Sequence, residues 1–149
     1  MEYARCLGRL QRLCSRAEYC SGDIFRKALK DLEGDSEAAS RVVAALVADR
    51  YVDDARYAAA FTREKALLQG WGPVKIRFQL RAKGVPDAVI DDALSSIEQE
   101  DSDDRLCRLM AAKAKSLAGD PQIRQKLLRF ALGRGYSYDA ASTALERCL

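Results

Sequence analysis

The stretch Gly70-Trp71-Gly72-Pro73 constrains this chain more than any other, because two glycines around the only tryptophan, followed by proline, cannot continue a helix. A glycine can close the preceding helix in the left-handed conformation that a side chain resists, and a proline fits the first turn of the next, where no amide hydrogen is needed. Strongly helical segments flank the break on both sides. The first opens at Asp53-Asp54-Ala55-Arg56-Tyr57-Ala58, and the second runs basic from Val74 through Lys75, Arg77, Arg81 and Lys83 to Gly84. Gly70, Trp71, Gly72 and Pro73 are therefore expected to form a structural corner.

The same punctuation recurs along the chain. Tyr3, Leu7, Leu10, Cys14 and Ala17 recur at spacings of three and four, predicting an amphipathic helix over residues 3 to 19 with Arg5, Arg9, Arg12 and Arg16 on its wet side. Ser21 is the expected N-cap of a second helix that Gly34 ends, and Asp35 or Ser36 starts a third. A second trio follows: Asp53 caps a helix bearing Tyr57, Ala58, Phe61 and Leu68, the corner opens another from Pro73 to Lys83, and Pro86 or Asp87 begins a helix with Ile90 and Leu94. In the third trio the acidic run at 100–104 starts a helix, Asp120-Pro121 opens the next, and Ser137 starts the last. Lys83-Gly84-Val85 and Arg134-Gly135-Tyr136 align at a constant offset with the apolar positions that follow them. No alternating apolar and polar run bounded by hairpin turns is present, so sheet is not expected. The fold class is all-α, with three-helix units at 1–52, 53–100 and 101–149 that gain by stacking their apolar faces on neighbours.

Charge is segregated rather than spread. Residues 63–83 hold six bases against Glu64, residues 87–104 hold eight acids and no base, and residues 105–134 hold eight bases against Asp120. Clustered bases attract phosphate backbones or acidic protein surfaces. The two candidate contact sets are Lys75, Arg77, Arg81 and Lys83, and in the third unit Arg124, Lys126, Arg129 and Arg134. The aspartates at helix starts are explained by capping and by the helix dipole rather than by a metal. Phe78 and Trp71 are expected to be packing residues, Phe78 in the core and Trp71 anchoring the corner.

Function classes narrow accordingly. The chain has no histidine, the commonest general base, and no Gly-x-x-x-x-Gly-Lys-Ser/Thr phosphate loop, so neither an enzyme nor any cofactor is expected. The five cysteines are widely spaced and are expected to be free thiols, with Cys6 and Cys14 acting as small apolar fillers. No apolar run suits a membrane span or a signal peptide, which makes the expected location cytoplasmic and the partner not a membrane.

The Asp53-Asp54-x-Arg56-Tyr57-Ala58, Gly70-Trp71-Gly72-Pro73-x-Lys75-Ile76-Arg77, Leu80-Arg81-x-Lys83-Gly84-Val85, Lys126-Leu127-x-Arg129-Phe130 and Arg134-Gly135-Tyr136 segments resemble the RecX family, bacterial regulators of the RecA recombinase. The resemblance implies three tandem three-helix repeats in an elongated, curved body. It also implies binding along the groove of the RecA filament on single-stranded DNA and restraint of strand exchange and ATP hydrolysis by RecA. The chain is expected to be a monomer, with DNA itself a further candidate partner. A direct DNA-binding helical module and a protein-docking scaffold are the alternatives.

Overall fold

The computed structural model describes residues 2–97 and 99–149, the side chains of residues 99 and 100 excepted. Those residues form nine helices and no strand: α1 (Tyr3–Arg16), α2 (Ser21–Asp31), α3 (Ser36–Ala48), α4 (Asp54–Leu67), α5 (Pro73–Ala82), α6 (Asp87–Ser95), α7 (Gln99–Ser116), α8 (Ile123–Gly133) and α9 (Tyr138–Cys148). The protein is thus an all-α chain of three-helix repeats. None of these helices is long and apolar enough to cross a membrane.

Local chemistry sets most of the helix ends. Asp35 accepts a hydrogen bond from the Ala38 amide and Ser137 accepts one from Ala140, so each satisfies an amide that has no partner inside its helix. Asp53 does the same for the Arg56 amide at 3.1 Å. The start of α2 departs from the expected Ser21 cap. Ser21 is already helical and Cys20 precedes it without a side-chain cap, while the Asp54 carboxylate accepts from the Ser21 amide at 2.7 Å and its hydroxyl at 2.6 Å. Helix α1 stops at Arg16, short of the expected residue 19.

The chain divides into two compact units, Met1–Ala60 with Leu80–Asp91, and Phe61–Gln79 with Asp92–Leu149. In the first, α1, α2 and α3 pack together around Cys6, Leu10, Ile24, Ala28, Val42 and Leu46. In the second, α7, α8 and α9 close on Leu106, Met110, Leu127, Ala131, Tyr136 and Ala141. Each fully buried leucine or isoleucine contributes about 1.5–3 kcal/mol, and the abundant alanines let helix axes approach. Both cores are mostly aliphatic side chains and alanine, which suits a chain with few aromatic side chains.

The thiols differ from expectation at one place. Cys107 of α7 and Cys148 of α9 are joined as a disulfide, their Cα atoms 5.6 Å apart, whereas Cys6, Cys14 and Cys20 are free and buried. The pair lies 41 positions apart in sequence, and the packing of α7 on α9 brings the two together. Burial pushes the Cys6, Cys14 and Cys20 thiols above the ordinary thiol range, as expected for inert fillers.

Candidate partner interface

The corner is a backbone junction. Gly70 adopts φ 69° and the Trp71 amide returns to the Lys65 carbonyl at 2.9 Å, closing α4. The Gly72 amide then bonds to the Arg134 carbonyl at 2.7 Å, and the Gly135 carbonyl accepts from the Val74 and Lys75 amides at the start of α5. Contact is close enough that a Cβ on Gly72 would lie 2.5 Å from the Gly135 oxygen. Gly72 has no positive φ, so packing rather than an unusual backbone conformation excludes a side chain there. Gly135 needs glycine on both grounds, with φ 95° and a would-be Cβ 2.2 Å from that of Lys75.

Trp71 is half-buried, edge-on to Phe61 at 6.2 Å between centroids, and carries two cations over its ring: Lys65 at 4.9 Å and Lys75 at 4.4 Å. Lys75 is therefore held on the indole face. Arg134 is also engaged, donating from Nη1 to the Gln69 carbonyl at 2.9 Å and lying 5.4 Å from the Phe130 ring centroid.

The remaining candidates separate by their partners. Lys83 pairs with Asp23 at 3.0 Å, Arg81 with Asp87 at 2.7 Å, and Lys126 with Asp120. The Asp23 bond holds Lys83 above the ordinary lysine range. Burial pushes Asp23 upward, but the bonds from Arg26 and Lys83 prevail and leave its carboxyl below the usual range. Arg124 and Arg129 are exposed and have no ion-pair partner among the described residues. Arg77 is half-buried and lines a cleft of about 450 Å³ with Trp71, Pro73, Ile76 and Arg105.

Two aromatic and aliphatic expectations fail in an informative way. Phe78 is not core: it is 69% exposed, with Val74 one turn before it at 55%. Helix α5 buries Ile76 and Leu80, and two residues along a helix turn the side chain by roughly 200°, so the Val74–Phe78 row faces away from the buried row. Leu68, expected within the fourth helix, lies one residue past the end of α4 and is 81% exposed. Arg56 is resolved as a clamp, its Nε between the two Glu18 oxygens at 2.9 and 2.7 Å and its Nη2 donating to the Arg50 and Tyr51 carbonyls. Exposed Phe78, Val74 and Leu68 are the surface residues the sequence reading missed. Their signal was present only as apolar side chains off the main periodic row.

By architecture this is a helical repeat protein whose described surface includes basic and apolar side chains. The family patterns described as the second and third three-helix domains of RecX match residues 53–94 and 99–145, and the chain belongs to the RecX family. It is 31% identical over 134 residues to a regulatory protein RecX of Chromohalobacter salexigens, covering 90% of this chain and 86% of that one. It is 32% identical over 119 residues to a regulatory protein RecX of Clostridium botulinum, covering 77% of this chain and 55% of that one, so it spans little more than half the length of that relative. Among solved structures, RecX from Lactobacillus salivarius superposes with a TM-score of 0.84 at 20% identity, over 98% of this chain and 96% of that one, a likeness of fold.

Proposed function

We propose that this chain regulates recombination by binding RecA, or the RecA filament on single-stranded DNA, and restraining its recombinase and ATPase activities without chemistry of its own. The observation that carries this reading, beside family membership, is the exposed Phe78 on a helix that also bears Lys75, Arg77 and Arg81. An exposed aromatic beside guanidinium groups has the composition of an interface hot spot, and basic charge speeds encounter with a polyanionic filament. Of the expected contacts, the exposed Arg124 and Arg129 are best suited, and Arg81 must first exchange its Asp87 partner. Lys83 and Lys126 must exchange internal carboxylate partners for external ones, and Lys75 and Arg134 also hold the corner. The working divisions are the repeats 1–52, 53–100 and 101–149, acting as a monomer in the cytoplasm.

Titrating the protein into RecA hydrolysing ATP on single-stranded DNA tests this. Hydrolysis should fall, and Phe78→Ala should require about tenfold more protein for the same effect at unchanged helicity. Unaltered hydrolysis at saturating protein refutes the reading. Phe78 also favours a second reading, direct binding of single-stranded DNA by base stacking. In that case bare oligonucleotide binds as tightly as RecA-coated strand, and Phe78→Ala weakens both equally.

A further inference from the structure

The carboxyl end of α4 and one side of α7 enclose a groove of about 420 Å³ that shares only Arg134 with the expected RecA contacts. Its apolar part includes Leu67, Leu68, Leu109 and Ala112, with Leu67 56% and Leu68 81% exposed. Arg105, Arg108 and Arg134 also line it. None of these three guanidinium groups has a carboxylate within ion-pair distance among the described residues, and the Nε of Arg105 is buried without a hydrogen-bond partner. Arg134 is fixed by the Gln69 carbonyl and the Phe130 ring, so part of the cationic lining is already ordered before anything binds.

We propose that this groove docks a short acidic peptide segment of a partner protein, with a leucine-like side chain on Leu67 and Leu68 and carboxylates on Arg105, Arg108 and Arg134. Charge complementarity selects the acid, because carboxylates pair with arginine in bidentate fashion. The apolar lining selects peptide over nucleic acid. Bases stack on aromatic faces, and no aromatic side chain lines this groove, whereas exposed leucines gain by covering an apolar side chain.

The test uses the whole chain and does not involve RecA, so it stands or falls apart from the function proposed above. Random short peptides displayed on phage are selected against the wild-type protein, and the enriched sequences are synthesised with a fluorescent label for anisotropy titration. Enriched peptides should combine Asp or Glu with Leu, Ile, Phe or Met. Leu68→Ala and Arg108→Glu should each weaken them by about tenfold, while a labelled oligothymidylate is unaffected by Leu68→Ala. Leu68 is mostly exposed, so its truncation leaves the fold intact, and circular dichroism of both variants verifies this. Failure to enrich any peptide, enrichment without acidic bias, or binding unchanged in both folded variants overturns the proposal. Equal loss of peptide and oligothymidylate binding in Leu68→Ala also overturns it in favour of a nucleic-acid groove.

Discussion

At the start of α2, a Cβ on Gly22 would lie 2.2 Å from the Lys83 carbonyl oxygen; at the start of α5, a Cβ on Gly72 would lie 2.5 Å from that of Gly135. In both places the second helix of one repeat begins against the loop between the second and third helices of the next. Both loops carry a positive-φ glycine, Gly84 at 86° and Gly135 at 95°, and both bury the following residue, Val85 or Tyr136. The two junctions are nevertheless secured differently. Around α2 the bonds involve charged side chains: Asp54 to Ser21, Lys83 to Asp23, and Arg56 to Glu18. Around α5 they are backbone amides of Gly72, Val74 and Lys75 donating to the Arg134 and Gly135 carbonyls, with Lys65 and Lys75 over Trp71. One repeated geometry thus tolerates two chemistries, because the glycine sets the approach and the surrounding groups need only satisfy the exposed amides.

The largest expected effect probes the steric side of this contrast. Gly135→Val places a β-branched side chain at φ 95° and into Lys75, and should cost about 3 kcal/mol or more in urea denaturation. Gly84→Ala, at a similar φ but with open space around it, should cost only about 1–2 kcal/mol. Equal costs would mean that backbone conformation rather than close packing sets the requirement. Next in size, Asp54→Ala leaves the Ser21 amide and hydroxyl without their acceptor and should cost about 1–2 kcal/mol, with faster amide hydrogen exchange at Ser21 and none of that change at Val74.

Acid should weaken the first junction selectively. The folded Asp23 carboxyl titrates below its unfolded value, so its contribution is present above about pH 4 and is lost as pH falls through the lower folded value. Exchange protection near the start of α2 should therefore fade in that window while the Val74 amide, bonded to a carbonyl, keeps its protection. Smallest of all, Arg56→Ala removes a partly exposed pair with Glu18 and should cost about 0.5–1 kcal/mol, less in high salt.

The helix pattern was legible because its determinants are local. Asp35, Asp53, Ser137 and the glycines that end helices act within a few residues of themselves, and periodicity reports which side chains share a face. Partners distant in sequence were hidden for the same reason. Asp54 acts on Ser21 across 33 positions, Cys107 meets Cys148 across 41, and Gly22 meets Lys83 across the gap between repeats. Phe78 was misassigned because α5 has two apolar rows, and periodicity alone does not say which is buried. Clustering identified the basic helix, but only folded contacts reveal that Lys83 and Lys126 already have carboxylate partners and that Arg105 and Arg108 share a groove with Leu68.

The outward face of α5 is most directly tested by equilibrium binding of labelled protein to RecA filaments on single-stranded DNA, comparing wild type with Arg77→Glu/Phe78→Ala/Arg81→Glu at several salt concentrations. The variant, still helical, should bind more than tenfold more weakly, and wild-type affinity should fall as salt rises. A folded triple variant that binds with wild-type affinity and the same salt dependence would contradict it.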